Sequence, residues 1–376
     1  DIHSNEVGVC CQDRDRSIFT DNTIHKAKVD NVLVQWGASS EFVSNKVFEA
    51  VRDGIVVQGV SSVFLRNSVS KNGRHGMTFD LLAQHDKSAK KQSIARTGVS
   101  ALQKKLSFKQ ASSGVESSKD GATCANNIID NNVEAGVFFT NFSRGNLYAN
   151  DINNNAGGGV VVSMGATPDV KKGNHIHRNR KGGIILEKQS APIIEKNKLT
   201  HNNPCNVSLQ EGSIGFVQEN TISHGQFDGI HCMGSSTVVR MNRIVQNADG
   251  NGVLILGPNK HLRIEDNEIS ENNVGVCCQA NGASGSITKN KIRNNFICGV
   301  RVSGNGTPFI NNNTFEKGNV GLLLRTDAAG TVHENTFTNN KEALVVSGEP
   351  ILTSTTKNTF CDNVYGVVFR QSETYV

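Results

Sequence analysis

"NKIRNNFICGVRVSGNGTPFINNNTF", residues 290–315, contains one complete cycle of the pattern that organises the chain. It opens on Asn290-Lys-Ile and closes 23 residues later on Asn313-Thr-Phe. Between them lie a second Asn at 295, the Gly-led segment Gly299-Val-Arg-Val, and Ile310 three residues before the closing triplet. The triplet Asn-x-apolar recurs at Asn22, Asn45, Asn67, Asn127, Asn150, Asn174, Asn197, Asn220, Asn242, Asn267, Asn290, Asn313, Asn335 and Asn358. Steps are 22 to 25 residues, apart from a 60-residue gap after Asn67. A fixed period of this size marks a repeat architecture.

Three apolar ladders share the period. One is the apolar residue of the triplet. A second stands three residues before each Asn, from Phe19, Phe42 and Phe64 to Ile310 and Val332, broken only at Lys171 and Thr355. The third follows a Gly, as in Gly159-Val-Val-Val and Gly183-Ile-Ile-Leu; Asn31 and Asn206 replace that Gly in two repeats. Because Gly and Asn both tolerate positive φ, this exchange predicts a left-handed corner there. Segments of three to five residues separated by such corners fit short strands, and no 3.6-residue periodicity competes. Three strands per turn predict an all-β parallel β-helix, a solenoid of about 15 coils and roughly 70 Å in length at strand spacing. The second Asn, five after the first at Asn72, Asn132, Asn155 and onward, gives way to Gly225 and Gly318. Stacked amides are expected to bond along the rod.

The period divides the chain into a first part of the helix at 1–81, an insertion at 82–119 and a second part at 120–376. Ile2 already falls in phase, so the chain is expected to begin inside a coil of a longer protein. The insertion is Ser- and Lys-rich, with Ile94, Val99, Leu102 and Leu106 spaced for a basic amphipathic helix and Ser93 and Ser107 following paired lysines. It is the expected point of first proteolysis.

The pattern resembles the right-handed parallel β-helix, or pectin-lyase-like, superfamily. "APIIEKNKLTHNN" (191–203) and the opening stretch are most similar to the carbohydrate-binding and sugar-hydrolase repeats of eukaryotic F-box proteins with β-helices. The Shc SH2-domain-binding protein and periplasmic NosD-like proteins are also similar. The resemblance implies the fold and its right-handed winding; repeat residues are scaffold and assign no activity.

Nine cysteines without C-x-x-C spacing fit neither a disulfide framework nor a zinc ribbon. Cys11, Cys124, Cys232 and Cys278 fall on inward positions, Cys10 and Cys277 on outward ones. "QFDGIHC" places Asp228 and His231 near each other, but the stacked acids of a sugar hydrolase do not accompany them. His175 and His177 share one outer face, with His201 and His224 on the next two coils. Imidazoles so spaced could hold Zn or Cu. With no carboxylate or thiolate recognised beside them, neither a metal nor another cofactor is expected.

The middle residue of the Gly-led strand points away from the core yet is mostly apolar. Leu33, Val56, Phe138, Val161, Ile185, Leu254, Leu323, Val345 and Val368 form the expected binding column for a protein partner. A net charge of +5 and the lack of an 18-residue apolar run give no expectation of nucleic acid or membrane as partner. The expected function is thus a non-enzymatic protein-recognition or structural scaffold module of a larger intracellular, cytoplasmic protein, such as a ubiquitin-ligase substrate adaptor or a cytoskeletal or ciliary assembly component. The alternative is a carbohydrate-active enzyme, a polysaccharide hydrolase, lyase or epimerase on the same fold.

Overall fold

The computed structural model describes residues 1–58, 61–81, 121–259, 261–280, 282–349 and 351–370. The insertion, with its helix, serine and proteolysis expectations, lies outside them. Three parallel sheets of 15, 15 and 14 strands form a triangular prism, each strand pairing with its counterpart one coil away. The chain visits the Asn-led sheet, the Gly-led sheet and a third sheet in turn, then repeats. Among the described residues no helix is long and apolar enough to cross a membrane.

The inner column of the Asn-led sheet shows how register produces the core. Val69 pairs with Val47 and Ile129, and Ile152 with Ile129 and Ile176, all essentially without exposure. Each β-branched side chain thus covers the one below, the fit that gives these residues their strand preference. Phenylalanines stack the same way, Phe42 on Phe64 at 5.3 Å and Phe315 on Phe337 at 4.6 Å. The ladder that breaks at Lys171 in the sequence continues at Val170, which pairs with Leu147 and Ile194. An additional residue, Gly173 at φ +88°, shifts the count by one. Cys11, Cys124, Cys232 and Cys278 are buried core residues as expected.

Asparagine closes the corner between the third sheet and the Asn-led sheet in every coil. From Asn22 to Asn358 each Nδ2 donates to Oδ1 of the next Asn along the rod, at 2.8–3.1 Å and without a gap. The link from Asn67 to Asn127 spans the insertion, and the strand pairings Val63–Leu65 with Thr123–Ala125 keep register across it.

Left-handed backbone occurs elsewhere than the sequence suggests. It falls on the residue before each first Asn, such as Ser44, Lys196 and Glu219, and on the residue before each second Asn, such as Lys71, Arg178 and His201. The strand-leading glycines are not left-handed; they are there because adjacent coils touch. A Cβ on Gly159 would lie 2.5 Å from Ile176 Cγ2 and 2.6 Å from the Gly183 oxygen. Asn31 and Asn206 are accommodated because the next coil offers Ala50 and Gly225, which have no amide, at the second-Asn position. Their side chains take up the vacant bonds. Asn31 accepts from the Ala27 N–H at 3.1 Å and donates to the Phe48 oxygen at 2.8 Å; Asn206 accepts from Asn202 Nδ2 at 2.8 Å and donates to the Ser223 oxygen at 2.9 Å.

Candidate functional site

The outward positions of the Asn-led strands are the first and third of each three-residue strand, set by the inward apolar residue between them. On the strand His175–His177 both are histidine, with ring centroids 4.0 Å apart. Register places Asp151 against His175 and Lys198 on its other side. His177 Nε2 lies 2.9 Å from Asp151 Oδ1, which also accepts from Asn153 Nδ2 at 2.8 Å; His175 Nε2 lies 3.2 Å from Thr200 Oγ1. The carboxylate missing from the sequence reading is therefore present one coil earlier. Its signal was available: Asp151 fills the same x position of Asn150-Asp-Ile that His175 fills in Asn174-His-Ile.

Beside this trio the corner residues His201 and His224, both exposed, stack at 4.9 Å with rings nearly parallel. Burial holds the His175 imidazole below its ordinary pKa, with His177 and Lys198 acting in the same direction. His201 is lowered for the same reason, with the charges of His224, Arg178 and Lys198 contributing. Both rings are thereby favoured in the neutral form, which can accept a proton or a cation. On the same face stand Lys198, opposite His175, and the corner residue Arg178. The strip thus combines neutral bases with fixed positive charge.

The expected apolar column exists in register but is not an open ridge. Val161 pairs with Phe138 and Ile185, Leu323 with Val345, and Val345 with Val368. Leu33, Phe138, Val161, Ile185, Leu254, Leu323 and Val368 are half-buried, while Val56 and Val345 are buried. Residues of the preceding corner fold over the face. His75 stacks on Phe138 at 4.7 Å, and Val274, Cys298 and Val320 join Cys277 and Val345 in a second apolar cluster outside the core. Cys277 is outward, as expected, but fully covered, and Arg301 Nη2 donates to its Sγ at 3.2 Å. Asp228 is a structural bridge: its Oδ1 accepts from the Asn251 N–H and Nδ2 at 3.0 and 2.8 Å.

The model of the family "Right handed beta helix region" matches residues 113–262 and 217–376. The chain belongs to this family. Its winding is therefore right-handed. Among curated proteins none matches the sequence. Solved structures with a similar course include the periplasmic alginate epimerase AlgG, at 13% identity and TM-score 0.44, covering 97% of this chain and 78% of that one. The A-module of the Azotobacter vinelandii mannuronan C-5 epimerase AlgE6 matches at 12% identity and TM-score 0.44, covering 86% and 90%. The Streptococcus pneumoniae surface protein and adhesin PfbA matches at 10% identity and TM-score 0.32, covering 94% and 90%. The expectation of an intracellular scaffold and of a cytoplasmic location is corrected by these three, which are two epimerases, AlgG a periplasmic one, and a surface adhesin.

Proposed function

We propose that the protein is a carbohydrate-active enzyme that binds an acidic polysaccharide across the basic face of the Asn-led sheet between Asp151 and His224. The observation that carries this reading is the exposed imidazole of His201, stacked on His224 and near the cations Arg178 and Lys198, whose charges help to lower its pKa. Cations beside a neutral base suit one reaction class: removal of the proton next to a uronate carboxylate. The proton passes to His201 and the electron pair is delocalised into the carboxylate, whose growing negative charge Arg178 and Lys198 stabilise. Reprotonation from the opposite face completes an epimerisation; expulsion of the β-positioned glycosidic oxygen completes an elimination. The resemblance of the repeat to the sugar-hydrolase repeats of F-box proteins supports a carbohydrate ligand, while the positive charge favours an acidic one.

The test is incubation with polyuronates in deuterated water, following deuterium at the carbon beside the carboxylate by NMR and unsaturated ends by ultraviolet absorbance. Activity is expected to fall roughly 100-fold or more in His201→Ala, the usual scale of general-base loss. Exchange that is absent in the wild type, or unchanged in His201→Ala, would overturn the reading.

A further inference from the structure

Among the described residues one trio of His, Cys, Asp or Glu converges closely enough to ligate a single ion: Asp151, His175 and His177, whose ligand atoms all lie within 4.8 Å of one another. The two histidines cannot diverge, since they flank the fully buried Ile176 on one three-residue strand. Asp151 is held in place by two constraints, its register opposite His175 and the bond from Asn153 Nδ2. A carboxylate fixed by a neighbouring amide is the kind of support that metal ligands receive. Tetrahedral coordination at zinc distances requires donor atoms roughly 3.3 Å apart. The His177–Asp151 pair, at 2.9 Å, already approaches this, and the remaining contraction needs only side-chain rotation at a half-buried surface.

We infer that Asp151, His175 and His177 form a binding site for a first-row divalent cation of the zinc type. Two imidazole nitrogens and one carboxylate are the donor set of such ions; calcium and magnesium demand more oxygen ligands than this strand pair provides. Three protein ligands on an outer face leave a coordination position open towards solvent, as in sites where the cation binds a water or an anionic ligand. The adjacent Lys198 and Arg178 oppose a further positive charge, and Asp151 offsets part of that repulsion. The site does not use His201, so the inference goes beyond the polysaccharide reading and does not depend on it.

The experiment is titration of the full chain with Zn2+ by calorimetry and with Co2+ by visible absorption, in the absence of polysaccharide. One saturable site with a tetrahedral Co2+ spectrum is expected. His175→Ala, His177→Ala and Asp151→Asn should each weaken it roughly tenfold or more, while the double variant His201→Ala/His224→Ala should bind as the wild type does. Unchanged unfolding midpoints show that the variants are folded. No saturable binding by the wild type, or binding that survives His175→Ala/His177→Ala or is lost with His201 and His224, would overturn the site. Because no sugar is present, such a result leaves the polyuronate assay unaffected.

Discussion

The two corners that flank the Asn-led sheet are both built from asparagine, yet one is continuous and the other is patched. At the entry corner every coil from Asn22 to Asn358 supplies an amide. At the exit corner the ladder runs from Asn72 to Asn202, is extended by Asn206, and resumes at Asn247. The lesson is that the bonds matter more than the residue that supplies them. At the exit corner a side chain can enter from the strand-leading position, four residues further on. At the entry corner no other side chain has been recruited, so the Asn itself is retained.

The largest effect should come from breaking the continuous ladder. The Asn220 side chain accepts from the Asn197 N–H and Nδ2, and its two Nδ2 hydrogens are shared among the Ile194 and Gln218 oxygens and Asn242 Oδ1. Asn220→Ala leaves several buried groups without partners and should cost about 3 kcal/mol, read as a lower urea midpoint. A change below about 1 kcal/mol would show that water replaces the amide. At the patched corner Asn31→Gly should cost about 1–2 kcal/mol, and adding Ala50→Asn should restore much of it. If the second substitution does not help, Asn31 stabilises through something other than the ladder.

A third effect separates the corners by pH. His75, on the exit corner, accepts the Ala135 N–H at Nδ1 at 3.1 Å, so its bonded form is the neutral one, and burial lowers its pKa against the opposing charges of Asp53 and Glu134. The unfolded chain therefore takes up this proton first. The contribution is complete above the unfolded value of about 6.5 and declines as pH falls through that value towards the folded one, by at most about 1.4 kcal/mol per pH unit. His75→Phe should flatten the profile; an unaltered slope between neutral and mildly acidic pH would assign the dependence to other groups. The smallest effect on stability should come from the outer face between the corners. Lys198→Ala should shift stability by less than about 0.5 kcal/mol while weakening polyuronate binding, a contrast that a binding isotherm and a melting curve together would test.

The scaffold was legible because its signals repeat. Fourteen triplets fix the coil length, and the period alone places Ile176 inward with His175 and His177 outward. What was illegible depends on how neighbouring coils meet. The strand-leading glycines read as left-handed corners because Gly and Asn share that tolerance; the contact of Gly159 with Ile176 and Gly183 is visible only once the coils are stacked. The apolar column read as open because alternation reports direction and not cover, and His75 over Phe138 comes from a corner without strand periodicity. Asp151 follows the triplet rule but belongs to the coil before the histidines, and only strand register brings it against His175.

The amide ladder also has a mechanical meaning. Its bonds, like the backbone bonds of the three sheets, run along the rod, so each interface between coils is a set of parallel springs under axial tension. Pulling both ends loads every bond of an interface together and should give high resistance. Peeling one terminal strand away loads them one after another and should proceed at low force. At the exit corner Gly318 brings no side-chain amide, and the strand of the coil before it is led by Gly299 rather than by an Asn, so that interface has one fewer spring and is the expected position at which a stretched rod first parts.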